Sequence, residues 1–148
     1  GFDQTRGIGP NQSTPAFTYF SAAIRQQTSK VIEYSAEQVL SGAVVIPENV
    51  RVIAVTENYP LPGMDFDQTS QVQVIERLIA QVGADRVIVV GLRDPYELEH
   101  LTRVQTYLCA FSFRKCAAQA AAEALFGRSV PQGASPVSIL DTDIHART

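Results

Sequence analysis

Tryptophan is absent from the 148 residues, methionine occurs once, and cysteine and histidine occur twice each. Cys109 and Cys116 form no Cys-x-x-Cys pair and cannot complete a zinc site by themselves, so no metal is expected. They read as small apolar core residues. His100 lies in a charged stretch with Glu97, Glu99 and Arg103, and His145 in a polar tail. Neither has a catalytic motif around it, and both read as surface residues. An apolar run of the roughly 20 residues that a membrane helix needs is missing, so no membrane span is expected. A surplus of positive charge is missing too. Twelve basic residues stand against fifteen acidic ones, for a net charge of −3. This excludes the basic stripe of a nucleic-acid binder. Gly7-Ile8-Gly9 lacks the third glycine of a dinucleotide fingerprint, follows no strand, and runs into Pro10, which has no N–H for a pyrophosphate. Neither a phosphate loop nor a Gly-x-Ser-x-Gly elbow occurs. No cofactor is expected.

What is present is a core. Hydrophobic residues make up 45% and charged residues 18%. A chain of this length buries roughly two-thirds of its unfolded surface, enough for one domain without disulfides. Residues 1–13, with three glycines and a proline, read as a loop. Thr14-Pro15 suits an N-cap and first turn, and Phe17, Phe20 and Ile24 then share one face of a helix running to about Gln27. Lys30–Tyr34 reads as a short strand. Ser35 and Gln38 have capping-box spacing and open a second helix. Val50–Thr56 is a β-branched run of the kind buried on both faces of a parallel sheet. A helix carrying Val72, Ile75, Leu78, Ile79 and Val82 ends before Gly83. Arg86–Gly91 and Thr106–Phe111 read as strands, Phe113–Phe126 as an alanine-rich helix stopped by Gly127, and Pro136–Leu140 as a last short strand. The expected fold is a three-layer α/β/α sandwich with a mostly parallel, flavodoxin-like sheet over residues 14–140, followed by a polar tail over 141–148, all in a single domain. The series opens on a helix where a doubly wound domain opens on a strand. The expectation is therefore that a first strand is missing or supplied by something else, and that the chain, whose start looks cut, is a fragment of a larger two-domain enzyme.

In such a fold the carboxyl ends of the strands form the functional rim. Glu57 stands at one of these ends, and Tyr59, Asp65 and Asp67 lie on the proline-stiffened loop that follows. Paired carboxylates do general acid–base work on glycosidic bonds; alternatively, Asp67 caps the next helix and Glu57 only binds backbone. Arg93, Asp94 and Tyr96 form a second rim group, turned by Asp94-Pro95. They suit either a rim turn that orders the sheet edge or, more sharply, an inter-domain contact or part of a sugar pocket, and residue types alone do not separate these readings.

From about Val50 to Ile139 the chain resembles the C-terminal domain of glycoside hydrolase family 3, in particular its bacterial β-N-acetylhexosaminidase branch. The resemblance rests on four motifs in order. Val87–Val90 runs into Arg93-Asp94-Pro95-Tyr96; Thr106-Tyr107-Leu108 leads to Phe111-Ser112; the alanine-rich helix closes on Leu125-Phe126-Gly127; and Pro131-Gln132-Gly133-Ala134-Ser135-Pro136-Val137-Ser138 finishes the series. It implies an accessory domain packed against an N-terminal catalytic (β/α)8 barrel of the same enzyme, a retaining, exo-acting hydrolase of β-linked sugars. Carbohydrate would then be met through that parent, and the isolated chain would be inactive, since in this branch nucleophile and acid/base both sit on the barrel. In the β-glucosidase branch the acid/base glutamate comes from this second domain, which makes Glu57 the alternative candidate. Thr56-Glu57-Asn58-Tyr59 departs from that branch's pattern, with Thr in place of Gly and no Glu at the expected place after the Tyr.

Overall fold

The computed structural model describes residues 16–57 and 68–139. Helix α1 covers Ala16–Gln27 and buries Ala16, Phe20, Ala23 and Ile24, the face the apolar spacing marks. The proposed Thr14-Pro15 cap lies outside the described residues. Helix α2 (Ala36–Ser41) opens with a complete capping box. The Ser35 hydroxyl accepts from the Gln38 backbone N–H at 3.2 Å, and the Gln38 side-chain oxygen Oε1 accepts from the Ser35 backbone N–H at 2.8 Å. It closes on Gly42, whose φ of 80° is a left-handed cap that a side chain would strain. Strand β1 (Val52–Thr56), helix α3 (Gln68–Val82), strand β2 (Val87–Gly91), strand β3 (Thr106–Cys109) and helix α4 (Lys115–Leu125) follow in the expected order.

The three strands pair in parallel in the order β1-β2-β3, with Val52 opposite Val87 and Ile88 opposite Thr106. Alternation along β2 sends Val87 and Val89 to one face and Ile88 and Val90 to the other. On the first face, α2 and α3 cover the sheet through Val39, Val74, Ile75, Leu78 and Ile79. On the second, α1 and α4 do so through Ala16, Phe20, Ala23, Ile24, Ala118, Ala121 and Ala122. Helices on both faces of a parallel sheet make this an α/β/α sandwich. The small alanines of α1 and α4 let these two helices approach each other closely within their layer.

The amino ends of β1 and β2 are tied by side chain to backbone. Arg86 donates to the carbonyls of Pro47 at 2.6 Å and Val50 at 2.8 Å, and Arg51 donates to the carbonyl of Asp85 at 3.1 Å. These bonds hold the end of the sheet opposite the carboxyl ends of the strands.

Three expectations are corrected. Lys30–Tyr34 is not a strand, and among the described residues no strand pairs with it. Pro136–Ile139 forms no strand either; Leu140 lies outside the described residues. The cysteines are not core residues. Cys109 is half-buried on β3, and Cys116 is exposed because Ala118, Ala121 and Ala122 take the inward face of α4.

Candidate functional site

The strands deliver their carboxyl ends to one rim: Glu57 after β1, Leu92-Arg93-Asp94 after β2, and Ala110-Phe111 after β3. Backbone pairing continues past the strands, with the Leu92 N–H donating to the Thr56 carbonyl at 3.0 Å and the Ala110 N–H to the Gly91 carbonyl at 2.8 Å. The rim is therefore built on sheet geometry rather than on free loops.

Glu57 is 5% exposed. Its backbone is gripped by Gln71 of α3, whose side-chain oxygen accepts the Glu57 N–H at 3.0 Å and whose amide reaches the Glu57 carbonyl at 3.5 Å. The side chain is another matter. Oε2 is buried and has no hydrogen-bond partner among the described residues. Burial pushes the carboxyl up to about 7, while the positive charge of Arg93 pulls in the opposite direction. Arg93 lies with its guanidinium carbon 4.9 Å from the centroid of the Phe113 ring, a cation–π arrangement that fixes the charge near the rim. A carboxyl raised toward neutrality beside a cation is able to donate or accept a proton.

Beside this lies a group that motif reading passes over. Glu97 is 1% exposed and accepts from two hydroxyls at the same oxygen, Thr56 Oγ1 and Tyr107 Oη, the latter at 2.8 Å. Tyr107 Oη also sits 3.3 Å from the Asp94 carbonyl. Burial first, and then the Glu97 charge, push the Tyr107 hydroxyl upward, so it remains a donor. The bonds join β1, β3 and the 3-10 turn Tyr96–His100. Gly91 makes room for them, since a Cβ there would stand 2.0 Å from Tyr107 Oη. The available signals were a Thr ending an apolar strand and a Tyr on a short one; Glu97 itself looks like one acid among several.

Other expected residues fall out differently. Asp94 Oδ1 accepts the Tyr96 N–H at 3.3 Å, which makes the turn that Asp94-Pro95 announces. Tyr96 does not pack inward: its ring is exposed, as is Phe111, which carries a positive φ of 50° unusual for an aromatic residue. His100 is exposed, as its charged surroundings suggest. Burial pushes the Cys109 thiol up to about 11, which keeps it protonated and unreactive at neutral pH. Tyr59, Asp65, Asp67 and His145 lie outside the described residues. Among the described residues, no group of three or more His, Cys, Asp or Glu side chains could hold a metal ion, and no helix is long and apolar enough to cross a membrane.

A scan against family models gives no match, and neither does a search of curated proteins. Among solved structures, 95% of the chain superposes on part of a fungal multi-domain family 3 β-N-acetylglucosaminidase, at a TM-score of 0.64 and 20% identity. The chain spans 17% of the length of that protein. The description of that protein singles out a GCN5-related glucosamine N-acetyltransferase region, a different domain type from the one the sequence resemblance names. At this identity the likeness supports the α/β sandwich, and it meets the resemblance to glycoside hydrolase family 3 only at the level of the multi-domain protein in which such a fold is found.

Proposed function

We propose that this chain is an accessory α/β/α domain of a multi-domain family 3 glycoside hydrolase, inactive alone, which packs through the carboxyl-end rim of its sheet against a catalytic (β/α)8 barrel. The observation that carries this reading is the likeness, over nearly the whole chain, to part of a family 3 β-N-acetylglucosaminidase, taken together with the sequence motifs at Arg93–Tyr96 and Thr106–Ser112. The exposed rings of Tyr96 and Phe111, beside the fixed cation of Arg93, give the rim the aromatic and arginine content of a docking patch. The parent activity is removal of a β-linked terminal sugar.

Two assays test this. The 148-residue chain should release no aryl alcohol from aryl β-N-acetylglucosaminide or aryl β-glucoside, and turnover of either would overturn the reading. Acetylation of glucosamine by the chain alone in the presence of acetyl-coenzyme A would overturn it in favour of the other activity named for the neighbour. In the parent polypeptide, Tyr96→Ala should lower the melting temperature by several degrees while leaving the isolated chain unchanged. Equal effects in both would remove the docking role.

Glu57 favours a second reading, in which the domain supplies the acid/base to an active site shared with the barrel. Its buried carboxyl, with one oxygen lacking a hydrogen-bond partner and a pKa about 7, suits a general acid. Under this reading Glu57→Gln in the parent costs about 10²–10⁴-fold in turnover; under the accessory reading turnover stays near that of the unaltered enzyme.

A further inference from the structure

Glutamate is a poor residue for filling space. Taking its carboxyl group out of water costs free energy, and an apolar side chain of similar volume removes that penalty. Yet Glu97 is 1% exposed, between Leu92 and Leu101, which are buried as core leucines ordinarily are. What a carboxyl group adds over leucine is direction, since each hydrogen bond that it accepts fixes a distance and an angle. The two hydroxyls that donate to Glu97 come from β1 and β3, the strands on either side of β2.

Those two bonds belong to a larger set that pins the segment leaving β2 to its neighbours. The Leu92 N–H donates to the Thr56 carbonyl at 3.0 Å, so Thr56 holds the start of the segment through its backbone and meets Glu97 through its hydroxyl. Tyr107 Oη, 2.8 Å from Glu97, also stands 3.3 Å from the Asp94 carbonyl. Within the segment the Asp94 carboxyl accepts the Tyr96 N–H at 3.3 Å, and the Leu98 N–H donates to the Pro95 carbonyl at 3.0 Å. Burial follows the anchoring. Leu92, Pro95 and Glu97 turn inward, Arg93 is half-buried and Tyr96 is exposed. Arg93 therefore stands between two anchored residues, Leu92 and Asp94, and Tyr96 directly precedes a third, Glu97.

We infer that Glu97 is the positioning residue of the rim: by accepting from Thr56 and Tyr107 it sets the course of residues 92–97, and with it the places of Arg93 and Tyr96. The carboxyl end of the sheet then presents a guanidinium and an exposed phenol ring in a fixed arrangement, and a partner that binds there is spared the ordering of a loop. The positioning rests on hydrogen-bond geometry alone. Only the partner rests on the docking role, which the Tyr96→Ala comparison can remove while the positioning stands.

NMR of the Arg93 side chain in the 148-residue chain tests this. The guanidinium carbon lies over the Phe113 ring, 4.9 Å from its centroid, where the ring current moves the Arg93 side-chain protons upfield. Phe113→Leu should abolish that displacement and so identify it. Glu97→Ala should remove most of it, whereas Glu97→Gln, which keeps an oxygen to accept the two hydroxyls, should retain it. Tyr107→Phe removes one hydroxyl and leaves the ring; it should give a partial loss, and it carries the test if Glu97→Ala does not fold. A role in stability alone would lower the melting temperature of these variants and leave the Arg93 resonances of the folded protein where they are. Unchanged Arg93 resonances in folded Glu97→Ala or Tyr107→Phe would therefore overturn the inference. So would a Glu97→Gln protein that loses the displacement as fully as Glu97→Ala.

Discussion

Glu57 is where the chemistry of single residues is most exposed to test. Its carboxyl is raised from 4.5 to about 7 by burial. Between those values the folded state therefore keeps a proton that the unfolded chain has lost. Stability from this group is full below about pH 4.5, falls as pH rises through 7, and is flat above. The loss is roughly 2–3 kcal/mol. In Glu57→Gln this part of the pH dependence should vanish, which denaturant melts at pH 5 and pH 8 would read directly. Equal slopes in both proteins would mean that Glu57 titrates in the ordinary carboxylate range. Sequence placed Glu57 at the end of a strand, because β-branched runs are easy to see. It could not show the burial, nor the hold that Gln71 of α3, fourteen residues away, has on the Glu57 backbone. The Glu97 cluster was illegible for the same reason: Thr56, Glu97 and Tyr107 are 41 and 10 residues apart and meet only through the sheet.

Among the elements, those governed by local chemistry were legible and those governed by partners were not. Ser35 and Gln38 specify the start of α2 within four residues, and the structure has both bonds of the box. Removing one half with Ser35→Ala should cost about 1 kcal/mol, measurable as a shift in the denaturant midpoint. A neutral substitution would mean that packing of Ala36 and Val39 alone holds the helix. Lys30–Tyr34 has as good a strand composition as β3 but joins no sheet among the described residues, because strand propensity mostly measures fit to a neighbouring strand. Composition cannot supply that neighbour.

Across the whole molecule the sandwich separates two kinds of work. At the amino ends of the strands Arg86 and Arg51 tie carbonyls together; at the carboxyl ends lie Glu57, Arg93 and the Glu97 cluster. Arg86→Ala should therefore cost about 0.5–1.5 kcal/mol in stability, by removing the donor to the exposed Pro47 and Val50 carbonyls, yet leave the titration of Glu57 unmoved. Following the Glu57 carboxyl by NMR in the variant checks this, and a shifted midpoint would show that the two ends are coupled. The helical layers themselves were legible from apolar periodicity, including the alanine-rich α4. The assignment of α1 and α4 to one face and of α2 and α3 to the other was not, since it follows from chain direction and handedness.

The alanines that bring α1 and α4 together give the molecule a one-sided tolerance to change. Ala118 and Ala122 have almost nothing left to remove, so substitution there can only enlarge. Each added methylene crowds the cluster shared by α1, α4 and Val90 and pushes the two helices apart rather than opening a void. The opposite layer, built from Ile75, Leu78 and Ile79, can lose volume and relax inward. Sequence drift would thus thin one side of the sandwich while it could only thicken the other.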